Sequence, residues 1–309
     1  MPLKVYFSPM SKINEVEPIS GDGFCREADH VFWDNNESKE DRSFRHGDVV
    51  FCHIDQVWRL FRALRRSTDK IILVTGHGCK PVDSRLWEQV PPHVAHWFGT
   101  NMFVEAPNAH PIPLGLGNAS CRVTLKDPKF NVSRSPESRP KLLYVNFRTA
   151  TEPKLRVPIL QHFKNLQKPW VTIDDPDLDG SIENYRTQLT EHAFVLCPPG
   201  RGEDTHRMWE VLYSGAIPVI RRSPAMREFL DLPVIAVDDL CQISESFLRS
   251  ELGRLAHSQN SLQKLKLSFW VNKINCEREL LKKTPRLSAW EFVQGWAGEA
   301  LRVAKKSFQ

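Results

Sequence analysis

Residues 194–220, FVLCPPGRGEDTHRMWEVLYSGAIPVI, restrict the fold more than any other part of this chain. A short apolar strand (194–197) runs into a Pro/Gly turn (198–202), and a helix opens at Asp204 or Thr205. A second strand, 217–220, follows Gly215. Strand, glycine loop, helix start and strand make an α/β half-unit with its loop where phosphates bind. The exposed N–H groups of a helix's first turn and its positive dipole end favour an anion there. His206, Arg207 and Glu210 stand in the first two turns of that helix. Arg207 suits chelation of a phosphate, and Glu210 suits acceptance from ribose hydroxyls.

The remaining chain repeats the alternation. In the first half the pattern predicts strands at 3–7, 48–54, 70–75 and 94–98, with a helix over 56–66 burying Trp58, Leu60, Phe61 and Leu64. The loop 111–118, PIPLGLGN, closes that series. In the second half strands are expected at 141–147, 170–173 and 234–237 around the opening segment, with helices at 154–166, 181–192 and 243–255. A short helical piece at 226–230 and amphipathic tail helices at 261–279 and 288–305 complete the reading. Such alternation implies largely parallel sheets. The polar, proline-bearing stretch 127–140 shows no periodicity and reads as a linker. The expected division is 1–126, an α/β domain; 141–258, a second α/β domain that carries the glycine segment; and 259–309, carboxy-terminal helices. In two such domains ligands bind at the carboxyl ends of strands, in the cleft between them.

Composition narrows the class of partner. A hydrophobic fraction of 41% and a charged fraction of 26% are those of a globular protein that is soluble. The net charge of +5 is spread among acids, without the basic stripe and interleaved aromatics of a nucleic-acid binder. Small anionic substrates suit that charge equally well. No signal-peptide core or transmembrane run stands out, so a cytoplasmic location is expected. The seven cysteines lie far apart with no C-x-x-C pair, which argues against a disulfide framework or a zinc knuckle. Cys52 and Cys197 sit in apolar strands and read as core. The sequons at Asn36, Asn118 and Asn131 matter only in a secretory lumen.

The pattern F-x-L-C-P-x-G-x-G-x-D-T-H-R-x-W-E-x-L-x-x-G-x-I-P-V resembles the carboxy-terminal signature of exostosin-like glycosyltransferases, including xylosyltransferase-type members of large algal viruses and of animal ribitol-xylose synthesis. WFGTN (97–101) and PIPLGLGN (111–118) are similar to loops of the same superfamily. The resemblance implies a GT-B-like α/β fold of two Rossmann-like domains. It further implies an inverting, metal-independent transferase that moves a sugar, with UDP-xylose as donor, onto a glycan or glycoprotein hydroxyl. No cofactor beyond that nucleotide-sugar substrate is implied. Relatives often carry T-H-N-S-D-x-P-V before WF-x-x-N; here residues 75–82 read TGHGCKPV, with Cys79 where the aspartate would stand.

Residue types distribute the chemistry. Arg207 is the first candidate phosphate ligand, the alternative being a surface salt bridge to Glu203 or Glu210. Arg148, just past a strand end, either clamps the same phosphates or is a solvated loop arginine. Gly200 and Gly202 allow close backbone approach, and Arg201 between them contacts phosphate or solvent. Thr205 or Asp204 caps the helix. His206 is expected to bond the diphosphate or donor sugar or to pack, and Trp209 reads as core. The base is sought at strand ends of the first half, in His77, Asp55 or Asp83, with His53 beside Asp55. Asp55 and Asp83 equally suit helix caps, whereas His77 between glycines is harder to explain as packing. Trp33, Trp58 and Trp97 are read as core before they are read as sugar platforms. A rival lies in 174–180, DDPDLDG, where D-x-D spacing suits a divalent metal on a diphosphate. Three outcomes therefore stand: the metal-independent transferase, a D-x-D metal-dependent one, and a catalytically silent nucleotide- or glycan-binding module.

Overall fold

The computed structural model describes residues 17–33, 43–65, 67–119, 135–174, 181–256, 262–288 and 290–291. The chain forms two compact units. The first comprises Gly23–Ile112 and Trp270–Gln309; the second comprises Met1–Asp22 and Pro113–Phe269. Among the described residues each carries one five-stranded, all-parallel sheet. Two such α/β units in one chain are the GT-B-like composition expected from the sequence.

In chain order the first unit holds β1 (His30–Phe32), β2 (Val49–His53), α2 (Val57–Leu64), β3 (Ile71–Gly76), α3 (Ser84–Trp87), β4 (Val94–Gly99) and β5 (Ala109–Pro111), after the short α1 (Gly21–Arg26). Its strands lie in simple sequence order, β1 to β5. Apolar residues at 57, 60, 61 and 64 give α2 one i, i+3, i+4, i+7 face. That face packs on Val50, Cys52, Leu73 and Trp97. The opposite face carries Phe51 and Phe98, both fully buried. The helix α8 (Leu267–Leu281) contributes Arg278, bonded to Asp29 at 2.8 Å, and the Leu281 carbonyl, which accepts from His46 at 3.0 Å.

The second unit holds β6 (Lys141–Val145), α4 (Pro153–Leu166), β7 (Val171–Ile173), α5 (Ile182–Glu191), β8 (His192–Cys197), α6 (His206–Tyr213), β9 (Ile217–Arg221), β10 (Ile235–Val237) and α7 (Glu245–Ala256). Leu143, Val145, Phe194, Leu196 and Val219 bury against Ile159 and Phe163 of α4 and Leu248 and Leu255 of α7. Alternate residues on β6 and β8 meet α5 and α6 instead. Burial on both faces explains why these strands read as continuous apolar runs. Pro153 starts α4 at a position whose N–H has no helical partner anyway. Gly215, at φ +74°, ends α6 in the left-handed conformation and turns the chain into β9.

Sequence reading placed most strands to within a residue or two. The edge strands β1 and β5, three residues each, went unread. The piece expected as helical at 226–230 is a 3-10 helix, Pro224–Phe229. The strand at 3–7, most of the helix at 288–305 and the linker up to residue 134 lie outside the described residues; Pro136–Ser138 is a single 3-10 turn. The loop assigned to the first half belongs with the second unit from Pro113 onward.

Candidate functional site

The strand order of the second sheet is β7-β6-β8-β9-β10. The chain steps outward from β6 to β7, then returns past β6 to lay down β8. Sheets of this kind bind ligands outside the carboxyl ends of the two strands where the direction reverses, here β6 and β8. The loops leaving them are 146–152 and 198–205, so the glycine segment sits at the switch point.

One buried arginine joins those two loops. Arg156, on the first turn of α4, donates from Nη1 to the Arg148 carbonyl (2.8 Å), from Nε to Pro199 (2.8 Å) and from Nη2 to Pro198 (2.9 Å). Burial lowers its pKa to about 10, with the charge of Arg207 adding to that. Gly200 fits beneath it: a Cβ at 200 would stand 3.0 Å from Nη2. The Gly200 N–H also donates to Gly202 at 3.0 Å, closing the turn.

Arg207 stands in the first turn of α6, where its guanidinium lies over the Tyr185 ring at 5.1 Å. Among the described residues its buried Nη1 has no hydrogen-bond partner. Burial works against its charge, yet Tyr185, Glu210, Cys197 and Tyr144 more than offset that and hold its pKa above the ordinary guanidinium value. Cys197 and Tyr144 belong to the carboxyl-terminal parts of β8 and β6, which puts Arg207 at the switch point. Glu210 is buried and accepts from the Tyr185 hydroxyl at 2.7 Å. Burial pushes the Cys197 thiol up to about 12, so it is a core group rather than a nucleophile.

The helix start is anchored differently from expectation. Thr205 occupies the cap position without a capping side-chain bond. Asp204 is not a cap: its buried carboxylate accepts from the Leu114 N–H (2.7 Å) and from Trp209 Nε1 (2.8 Å). Burial raises its pKa to about 6 against those two donors. His206 donates from Nδ1 to the Gly115 carbonyl at 2.8 Å, so it packs the glycine loop onto α6. Gly115, at φ +73°, is closed to other residues, since a Cβ would lie 2.2 Å from the Ile19 carbonyl oxygen. Trp209 is core, edge-on to Phe229.

Arg148, Gly200, Arg201, Gly202, Thr205, His206, Arg207 and Glu210 thus lie on two loops and one helix start of a single unit. Arg148 and Arg201 are exposed. Glu203 is paired with Arg221 through both oxygens (3.1 and 2.8 Å), which removes it as the salt-bridge partner considered for Arg207. Arg156 and Tyr185 escaped sequence reading. Arg156 reaches Pro198, 42 residues on, and Tyr185 reaches Glu210, 25 residues on, contacts that no local pattern in the sequence signals.

The first unit gathers its candidates at the ends of β2 and β3. His77 has φ +61°, uncommon for a residue with a Cβ. Packing does explain it: its ring lies 4.3 Å from Trp33 and edge-on to Phe51 at 5.4 Å. His53 stacks 6.5 Å from His77, and its Nδ1 accepts from the Asp55 N–H at 3.2 Å. Asp55 Oδ2 is 3.8 Å from that nitrogen, while Oδ1 pairs with Lys80 at 3.0 Å. Asp55 therefore neither orients His53 through an Nδ1–H nor caps α2, where Gln56 holds the cap position. Asp83 caps α3, accepting from Leu86 at 2.9 Å. Trp33 is 41% exposed and Trp97 fully buried, so only the former, with Trp58 at 42%, offers an open ring face. Of the D-x-D run, residues 175–180 lie outside the described residues; Asp174 accepts from Tyr144 (3.0 Å) and Asn184 (3.1 Å).

No family model and no curated protein matches the sequence. Among solved structures, a glycosyltransferase from Rickettsia africae ESF-5 overlaps 77% of this chain and 78% of its own, at 9% identity and a TM-score of 0.44. AviGT4, a glycosyltransferase involved in avilamycin A biosynthesis, overlaps 76% and 85% respectively, at 12% identity and a TM-score of 0.38. The α,α-trehalose 6-phosphate synthase from Burkholderia multivorans overlaps 85% and 72%, at 12% identity and a TM-score of 0.33.

Proposed function

We propose that this protein is a glycosyltransferase whose second unit holds the diphosphate of a nucleotide sugar and whose product is a new glycosidic bond on a glycan hydroxyl. One observation carries the reading: a charged arginine at the switch point of a parallel sheet keeps a buried Nη1 that no described residue partners. A guanidinium N–H left so is expensive unless an acceptor arrives, and the N–H groups opening α6 favour an anion beside it.

As the bond from the anomeric carbon to the diphosphate breaks, negative charge grows on the leaving phosphate oxygen. Arg207 and the α6 amides stabilise that charge, and the acceptor hydroxyl loses its proton to a base as its oxygen bonds the anomeric carbon. Glu210, held by Tyr185, is the proposed ribose acceptor. His77 is the proposed base, favoured over Asp55 and Asp83 because those carboxylates are engaged by Lys80 and the α3 N-terminus. The transfer is inverting and metal-independent in this reading, with UDP-xylose as the donor implied by the resemblance.

Titration with UDP and GDP, followed by hydrolysis of a panel of nucleotide sugars with and without chelator, tests it. Expected are micromolar UDP binding lost in Arg207→Ala and slow release of UDP from UDP-xylose that persists in EDTA. Unaltered UDP affinity in the variant would overturn the placement; rescue of EDTA-treated enzyme by manganese would favour the D-x-D reading. The engagement of Asp55 and Asp83, with Cys79 where relatives carry aspartate, supports a second reading: a binding module without turnover. UDP binding with no release from any sugar nucleotide would select it. Among the described residues, no helix is long and apolar enough to cross a membrane.

A further inference from the structure

Within the first unit, β4 and β5 carry a second constellation on the sheet face away from α2. Trp97 points toward α2, its ring 5.8 Å from Phe61. Its neighbours His96 and Phe98 therefore fall on the other face, because successive strand side chains alternate. β5 pairs beside them with Phe98 opposite His110, and α8 supplies Glu277. His96 Nδ1 lies 3.1 Å from His110 Nε2, and His96 Nε2 lies 3.6 Å from Glu277 Oε2. One nitrogen of each histidine and one carboxylate oxygen of Glu277 all fall within 4.8 Å of one another.

We infer that His96, His110 and Glu277 form a binding site for a divalent transition-metal ion of the zinc type. Two imidazoles and one carboxylate are a donor set such ions favour, with a water or other ligand completing the sphere. Ligand bonds of about 2.0–2.1 Å imply donor–donor edges of roughly 3.3 Å in a tetrahedral sphere. Donors now within 4.8 Å need small side-chain adjustments to reach that. The setting favours it. His96 and Glu277 are 24% and 25% exposed, open enough for an ion to enter and covered enough to hold it. The His110 ring stacks on Phe98 at 4.3 Å, fixing its plane. The two histidines come from adjacent strands and the glutamate from a helix, so the ion would fasten α8 to the sheet edge. No part of the diphosphate site enters this proposal, and its failure leaves that reading untouched.

The test uses the whole chain stripped with chelator, titrated with Zn2+ by calorimetry and with Co2+ by visible absorption. Expected is one equivalent of metal with the d–d bands of a nitrogen/oxygen site, no thiolate charge-transfer band, and a rise in Tm of several degrees. His96→Ala and His110→Ala should each abolish binding, and Glu277→Gln should weaken it by more than about tenfold. Cys276→Ser, at the exposed thiol next to Glu277, should leave it unchanged. Should an alanine variant fail to fold, zinc protection of His96 and His110 from diethyl pyrocarbonate in the unaltered chain, mapped by mass spectrometry, gives the same answer. An absence of saturable binding would reduce the trio to a hydrogen-bonded pair with an ion-paired glutamate and overturn the proposal. So would binding that survives His96→Ala and His110→Ala, or a thiolate band lost in Cys276→Ser. UDP affinity should not respond to the metal.

Discussion

The two units are built from the same parts and differ in how they order them. Among the described residues the first sheet runs β1 to β5 without reversal, so no pair of neighbouring described strand ends is opened by the topology. The second reverses between β6 and β8, and polar chemistry collects at that break. There the key groups are buried and bonded across long stretches of sequence: Arg156 to two loops, Asp204 to Leu114, Tyr185 to Glu210. In the first unit, Asp55 with Lys80 is a half-exposed ion pair. Topology thus separates a preorganised polar site from a set of strand-end side chains whose mutual bonds are weak.

Substitutions should expose that contrast unequally. Arg156→Ala removes three charge-assisted bonds and leaves three loop carbonyls to find other donors; a loss of about 4 kcal/mol is expected in urea unfolding, with UDP binding lost alongside. A loss below about 1 kcal/mol would mean that the loops hold themselves. Next comes pH. The Asp204 carboxyl, at about 6 when folded against an ordinary 3.8, binds its proton more tightly in the folded chain. Its contribution therefore strengthens as pH falls from about 6 toward 4, and the penalty at neutral pH is about 3 kcal/mol. His192 runs the other way. Burial lowers it from 6.5 to about 4, so the folded chain resists its protonation and stability falls as pH drops through that window. His192→Gln should consequently leave a chain that stabilises on mild acidification, read from urea midpoints between pH 7 and 4. A midpoint that still falls with pH would assign the titration elsewhere.

Arg207→Ala should lower UDP affinity by about a hundredfold while moving Tm little, the signature of a residue held for a ligand rather than for the fold. In the first unit effects on stability should be small. Asp83→Ala should cost about 1 kcal/mol, the value of an N-cap, and Asp55→Asn less than about 0.5 kcal/mol, as befits an exposed ion pair. His77→Ala should spare UDP binding and abolish transfer. Should Asp55→Asn instead unfold the unit, the contrast between buried and exposed chemistry would collapse.

How much of this was readable beforehand follows the same division. Long apolar strands such as Ile71–Gly76 and His192–Cys197 announce themselves because both faces are buried. β5 does not: it is three residues long, ends in Pro111 and lies at a sheet edge, where proline costs no ladder bond. Position in the motif put Arg207 and Glu210 forward as candidates. It left Asp204 and Thr205 as alternative caps, because either has that local option before a helix; Thr205 holds the position, and the Leu114 N–H that captures Asp204 lies 90 residues away. For the same reason the tie between His206 and Gly115 and the meeting of His96, His110 and Glu277 left no local trace. Spacing reports neighbours along a helix or strand; it is silent about partners delivered by crossovers.

The order of the units along the chain has a consequence for synthesis. The first unit opens at Gly23 and stops at Ile112, and its last helix returns only after Pro113–Phe269 has been made. Until then His96 and His110 lack the Glu277 that α8 brings beside them, while the second unit already has its described strands, β6 to β10. A chain emerging from the ribosome therefore completes the described strands of its later unit while the earlier one still waits for α8. During that interval the unfinished sheet is the part most open to misassociation.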